Sequence, residues 1–347
     1  MCSTRAVIPR SPCGVTRVEF VITSTRPDSV SPKKRRAIPT IHTQRILALI
    51  LLICQAGITF TGAIVRVTAS GLGCPTWPEC QPGSLVPVAG TTPALHQAIE
   101  FGNRLLTFVL VAACVAVLIT LIKAKRRLEL LILGWISIGG IILQAVIGGI
   151  SVHLQLRWWS VAIHFLPSMA LVWVAALLFV RLKQPDDGIP ERTFPGAIRA
   201  LALISAVALS IVLITGTMVT GAGVHSGDDQ IGMSGRLAVD IDMMAHIHAY
   251  CMYTYLFLTI IMVFLLHRYK APTESKIISY WLIGMIVLQA AIGIMQYNLQ
   301  VPRWSVPIHV LMSSVVVIFS AFLYASGYRV AGGIATRTGS PEAERIH

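Results

Sequence analysis

The sequence predicts an all-α integral membrane protein whose eight transmembrane helices form two pseudo-symmetric four-helix bundles. Three observations predict it. Only 12% of the 347 residues are charged and 55% are hydrophobic, whereas a soluble domain carries roughly 25% charged residues. Eight apolar stretches approach the about 20 residues that a helix needs to cross a bilayer. Finally, the stretch Leu143–His164, LQAVIGGISVHLQLRWWSVAIH, returns ungapped as Leu288–His309, LQAAIGIMQYNLQVPRWSVPIH, with 12 of 22 positions identical at a constant offset of 145. Apolar identities arise easily in hydrophobic sequence. A shared Gln, Trp-Ser-Val and terminal His do not, so this is an internal duplication.

Taken in order, residues 1–45 are a tail. Residues 1–40 are rich in Ser, Pro, Thr and Arg without an apolar period, so the tail is expected to be disordered. It has neither the compact apolar core nor the cleavage site of a signal peptide. The spans lie near Ile46–Val65, Ile99–Ile122, Leu130–Ile150, Val161–Val180, Ala200–Val219, Met243–Leu266, Ile277–Met295 and Val306–Tyr324. They group as an N-terminal bundle, 46–181, and a C-terminal bundle, 200–325. A polar linker, 182–199, joins them and a tail, 326–347, follows. Cys54, Cys114 and Cys251 fall inside spans, where Cys acts as a small apolar filler. Cys74 and Cys80 fall in the first loop, in CPTWPEC. Its two prolines bend the chain enough for a bridge, with two free thiols as the alternative.

The net charge of +13 is explained by topology. An even number of spans puts both termini on one side, and with the termini cytoplasmic the inner segments hold 23 of the 28 Lys and Arg. Arg66, Arg104, Arg157, Arg236 and Arg303 remain outside. That bias orients the chain in a cell membrane and removes the need for a nucleic-acid partner.

The offset of 145 also maps Glu100 onto Ala245, Asn103 onto His248 and Arg104 onto Ala249. The ends of spans 1 and 5 match as TGAIVRVTASG against TGAGVHSG, with an offset of 159. Four spans per half make the repeat parallel rather than inverted.

Ionisable residues collect at the outer ends of the even spans: His96, Glu100 and Arg104 in span 2, His164 in span 4, His246 and His248 in span 6, and His309 in span 8. They lie roughly 5–10 Å deep at 1.5 Å per residue. Such residues are costly inside a membrane and mark function by default. Histidines from two facing helices at matched depth are how a bundle ligates a haem iron. The second half offers His248 with His309, and repeat symmetry selects His248 over His246. Interhelical hydrogen bonding is the alternative use of each His. In the first half His164 faces Asn103, a poor iron ligand, with Glu100 one turn away and His96 a further turn out. This leaves an open or labile axial position beside a carboxylate. Glu100 and Arg104 could instead form a self-satisfying ion pair. Arg66 and Arg104 suit porphyrin propionates, since guanidinium pairs bidentately with carboxylates. His153 and His225 are expected to face solvent, and His246-x-His248 without further clustered ligands is a weak zinc signal.

GAIVRVTASGLGCPTWPEC after span 1, IEFGNR opening span 2, and the span-end histidines His164 and His309 resemble the haem A synthase family of cytochrome oxidase assembly. The likeness runs from about Ile46 to Tyr324. It implies haem B held by His248 and His309, with haem O as substrate near His164 and Glu100, where a ring methyl is oxidised to a formyl group. It also favours a Cys74–Cys80 disulfide. Haem O would enter from membrane lipid, and the pathway implies contact with a haem O synthase and oxidase assembly factors. The family pattern on span 2 is Glu-x-x-His-Arg. Here Asn103 replaces that His, leaving either His96 as the second ligand of the substrate iron or a five-coordinate iron. The competing reading is a b-type membrane cytochrome exchanging electrons with quinone, which predicts two equivalent bis-histidine sites. A transporter would instead place its polar groups near the bilayer midplane.

Overall fold

The computed structural model describes residues 38–225 and 235–332. The expected disorder of residues 1–37 and the far tail, 333–347, lie outside them. Among the described residues, eight helices are long and apolar enough to span a membrane: α1 (Ile41–Val67), α2 (Ala94–Lys123), α3 (Leu128–His153), α4 (Trp158–Arg181), α5 (Gly196–Ala222), α6 (Ile241–Arg268), α7 (Thr273–Asn298) and α8 (Ser305–Ala325). The chain is an all-α integral membrane protein.

Every helix overruns its apolar stretch by a few residues, because hydropathy senses only the hydrocarbon core while the helices continue through the interface. At the start of α1 this moves Ile41–Arg45 out of the expected disordered tail and into helix. Thr40 caps that end, its hydroxyl accepting the Thr43 backbone N–H at 3.2 Å. Asp240 caps α6 likewise, accepting from Met243 N at 2.7 Å. A cap oxygen satisfies one of the four N–H groups that a helix start leaves unpaired.

Consecutive helices pack as hairpins, and α1, α4 and α8 pack on one another at the centre. Their contact is dry and small-sided, with Ala48, Leu51, Val172, Ala176, Val317 and Ala321 fully or nearly fully buried. One polar knot ties it together. Thr59 Oγ1 and Ser314 Oγ are 2.9 Å apart, and Ser314 Oγ lies 3.6 Å from Met169 Sδ. Small polar side chains of this kind bridge membrane helices without leaving an unsatisfied group in hydrocarbon.

At the α2–α3 turn, opposite the cysteine loop, the linker and the segment after α8 are more than the plain polar connections expected. They pair as antiparallel strands β1 (Ile189–Arg192) and β2 (Tyr328–Ala331). Two buried arginines anchor this ribbon. Arg126 Nε meets Asp186 Oδ1 at 2.9 Å while its other nitrogens donate to Gln44 Oε1 and the carbonyls of Leu182 and Gln184. Arg181 donates to the Tyr328 carbonyl at 2.8 Å and stacks over the Tyr328 ring. A buried guanidinium is tolerated when its nitrogens find acceptors, as all three of Arg126 do here.

Candidate functional site

Three histidines on even-numbered helices seat their rings over glycines of odd-numbered ones. A Cβ on Gly148 of α3 would stand 3.2 Å from Cε1 of His164 on α4, and one on Gly293 of α7 would stand 3.3 Å from Cε1 of His309 on α8. Both members of the second pair follow the first by 145 residues, so the ring-on-glycine contact occurs at the same register in each copy. Gly216 of α5 gives His248 of α6 the same close approach, 3.1 Å to Cε1. A Cβ at any of the three would sit closer than is usual, so the ring would have to give by a few tenths of an ångström.

Thr215 sits beside Gly216, and its Oγ1 lies 3.0 Å from His248 Nδ1. That bond settles the ring's orientation and leaves Nε2 available, as a hydrogen bond to the non-ligating nitrogen does in metal-bound histidines. Nδ1 of His309 and Nδ1 of His164 are buried with no hydrogen-bond partner among the described residues. Half-buried imidazoles on two helices, one of them oriented by Thr215, are donors of the kind a haem iron takes. Among the described residues no three His, Cys, Asp or Glu cluster as a metal site.

In the first half Asn103 takes the place of His248. Its Oδ1 accepts from Thr61 Oγ1 at 2.8 Å. Thr61 therefore stands to Asn103 as Thr215 stands to His248, an offset of 154 rather than the 159 read from the helix ends, although Gly62, unlike Gly216, has nothing close to it. The helix limits agree, since α1 and α5 start 155 residues apart and end 155 apart. The sequence match followed a repeated Thr-Gly-Ala one and a half turns further along.

Glu100 is buried, and its Oε1 accepts from Arg104 Nε at 3.1 Å. Arg104 does not present an open face to a propionate. Its Nη2 donates to the Cys74 carbonyl at 2.8 Å, and its Nη1 to the carbonyls of Thr76 and Glu79 at 3.0 and 3.2 Å. Four of the fork's five N–H groups are engaged, by one carboxylate and three carbonyls of a single loop. Cys74 and Cys80 close that loop as a disulfide, S–S 2.00 Å. Trp77, between them, lies on Gly149 of α3, next to the glycine that seats His164, and His153 Nε2 lies 3.3 Å from the Trp77 carbonyl. The loop is thus pinned over the first half from both α2 and α3.

His96 holds the same loop region. Its Nδ1 is 3.0 Å from Ser70 Oγ, and Gly73 packs against its backbone. It stands seven residues, about 10 Å of helix rise, from Asn103. His246 is exposed, its Nδ1 2.7 Å from the Asp242 carbonyl and its ring edge-on to Tyr297. His225 differs from expectation: it is half-buried, with Nε2 3.0 Å from the Val301 carbonyl. Arg66, half-buried, lies one residue before the end of α1. Sequence reasoning passed over Thr61, Thr215 and the three seat glycines. The doubled Thr-Gly dipeptide and the conserved spacing of Gly148 and Gly293 within the repeat were the signals.

Eight spanning helices with half-buried imidazoles toward one end define a multi-pass membrane protein. The chain belongs to the cytochrome oxidase assembly protein family, whose profile matches residues 45–321. It is similar to the Heme A synthase of Exiguobacterium sibiricum, 30% identical over 184 residues, which cover 50% of this chain and 60% of that protein. It is also similar to the Heme A synthase of Lysinibacillus sphaericus, 35% identical over 126 residues (35% and 38% of the two chains). A third relative is the Heme A synthase of Geobacillus kaustophilus, 31% identical over 108 residues (31% and 32%). The matched stretches thus span from about a third to three fifths of these relatives' own length.

Proposed function

We propose that this chain is a haem A synthase, an oxidoreductase that converts one ring methyl of haem O to a formyl group, with haem B held by His248 and His309. The observation that carries the reading is the broken repeat. Two copies share a histidine seated on a glycine, yet the facing position is His248 in one half and Asn103 in the other, each bonded to an equivalent threonine. A half with two imidazoles suits a permanent cofactor, and a half with one suits a substrate that must be admitted, altered and released. A b-type cytochrome serving quinone would need two like sites.

Haem B in the C-terminal half, 200–325, supplies one-electron redox capacity when bound. The chain's residues do the rest by position and electrostatics. In the N-terminal half, 46–181, His164 offers the substrate iron an imidazole, while Asn103 presents an amide oxygen already engaged by Thr61. Arg66, near the outer end of α1, is a guanidinium of the kind that suits a porphyrin propionate. Glu100, one turn from Asn103, receives a proton as the methyl is oxidised. Two successive hydroxylations, each taking its oxygen from water and releasing two protons and two electrons to an external one-electron acceptor, give a geminal diol that loses water to the aldehyde. The disulfide loop closes the outer face over this half and keeps bulk water from it. Haem O, with its farnesyl chain, arrives through membrane lipid, and both termini face the cytoplasm.

The test is production of haem A in cells that make haem O but lack their own synthase. Haem A recovered by extraction, absent when Glu100→Ala is expressed with its haem B still bound, is the expected result. Haem B without any haem A from the unaltered chain would overturn the reading.

A further inference from the structure

The two copies differ at a second pair of positions that no ligand argument touches. Gln144 and Gln289 are related by the same offset of 145, and each lies four residues before a seat glycine, Gly148 or Gly293. On a helix that puts the amide on the same face as the glycine, one turn or about 6 Å deeper in the membrane. Both therefore face the helix that carries the seated histidine.

Gln289 is engaged by its own protein. Its Nε2 donates to the His309 carbonyl at 3.0 Å and to Ser313 Oγ at 3.1 Å. The equivalent acceptors exist in the first half, since Ser168 follows His164 as Ser313 follows His309 and its hydroxyl likewise donates to the His164 carbonyl, at 3.0 Å. Gln144 does not take them. Both its Nε2 and its Oε1 are buried with no hydrogen-bond partner among the described residues, whereas only the Oε1 of Gln289 is so placed. A buried amide with neither end paired costs free energy unless something else satisfies it.

We propose that Gln144 determines specificity in the substrate site, its amide hydrogen-bonding the secondary hydroxyl that distinguishes haem O from haem B. The inference rests on the haem A synthase reading above. The two haems share porphyrin and propionates. Haem O carries a hydroxyethyl group bearing the farnesyl chain where haem B carries a vinyl, so its one additional polar group is that hydroxyl. A hydroxyl both donates and accepts, and a primary amide offers an acceptor and donors. Position agrees as well. With the propionates toward Arg66 at the outer face, the opposite edge of the porphyrin points into the bilayer. That edge carries the hydroxyethyl group, and Gln144 lies on that side of His164. In the haem B half no such hydroxyl arrives, and the twin amide is turned back onto the His309 carbonyl.

The test is equilibrium binding to the purified full-length protein with its haem B already in place, using haem O and an analogue of haem O whose alcohol is reduced to a methylene. The unaltered protein is expected to bind haem O about three- to tenfold more tightly than the analogue, the range for one or two neutral hydrogen bonds. Gln144→Met, similar in length and apolar, is expected to erase that preference by weakening haem O alone. Equal affinity of the unaltered protein for the two ligands overturns the inference with no reliance on the variant. So does a Gln144→Met protein that keeps the preference or loses both ligands equally. If the unaltered protein binds neither ligand, the haem A synthase reading itself fails, an outcome distinct from the others.

Discussion

Thr215 Oγ1 and His248 Nδ1 are 3.0 Å apart, and the same geometry recurs as Thr61 Oγ1 to Asn103 Oδ1 at 2.8 Å. A single hydroxyl on an odd-numbered helix thus steers the decisive side chain of its neighbour in both halves. In one half that side chain is an imidazole held by its Nδ1. In the other it is an amide.

Removing the steering hydroxyl should loosen the cofactor without unfolding the protein. Thr215→Val keeps the shape of the side chain but leaves His248 Nδ1 without its partner. Loss of such an outer hydrogen bond lowers metal affinity by about 10- to 100-fold. Haem B retained per protein after gel filtration should fall in Thr215→Val and recover in Thr215→Ser. Full retention in the valine variant would show that the hydroxyl does not orient the ring.

Asn103→His should install a second imidazole opposite His164. Thr61 already stands where it can hold the new ring as Thr215 holds His248. Haem O bound to this variant should give the low-spin absorption and paramagnetic resonance signature of a bis-histidine iron, added to that of haem B. An unchanged spectrum would mean that position 103 does not face the substrate iron.

The seat glycines separate stability from binding. Gly293→Ala places a Cβ 3.3 Å from the His309 ring, and Gly148→Ala places one 3.2 Å from His164. Either ring must then give by a few tenths of an ångström. Alanine meanwhile favours helix over glycine by about 1 kcal/mol. Thermal stability of the haem-free protein should hold or rise in both variants. Gly293→Ala should lose haem B, and Gly148→Ala should lose only haem O.

Arg104→Leu should release the cysteine loop and strand a buried carboxylate. It removes an ion pair and three carbonyl contacts together, and breaking a buried pair costs about 3–5 kcal/mol. The Cys74–Cys80 bridge should become reducible by mild thiols far faster than in the unaltered protein, as followed by thiol labelling. Haem B binding, in the other half, should be unaffected. A reduction rate that does not change would place the loop's anchorage elsewhere, at Trp77 on Gly149.

The chain's primary structure by itself determined the number of spans, the duplication and the residues at which its copies part. The bilayer requires runs of apolar residues, a constraint strong enough to read without neighbours. The repeat of His164 as His309, and of Asn103 opposite His248, is a comparison within one chain. Only the tertiary structure decided what those side chains touch. Arg104 reads as a propionate ligand until the loop folds back and its donors meet the carbonyls of Cys74, Thr76 and Glu79. His96, one candidate ligand for the substrate iron, is tied to Ser70, and His225 to a loop some 76 residues away. The register of α5 on α1 was misread by five residues, because a locally better match lay beyond the Thr-Gly pair that makes the contacts. Hydrogen bonds depend on the approach of atoms from distant parts of the chain, and composition and period carry no record of that approach. The difference between Gln144 and Gln289 is the clearest case: the residue type and spacing are identical, and only packing leaves one amide open.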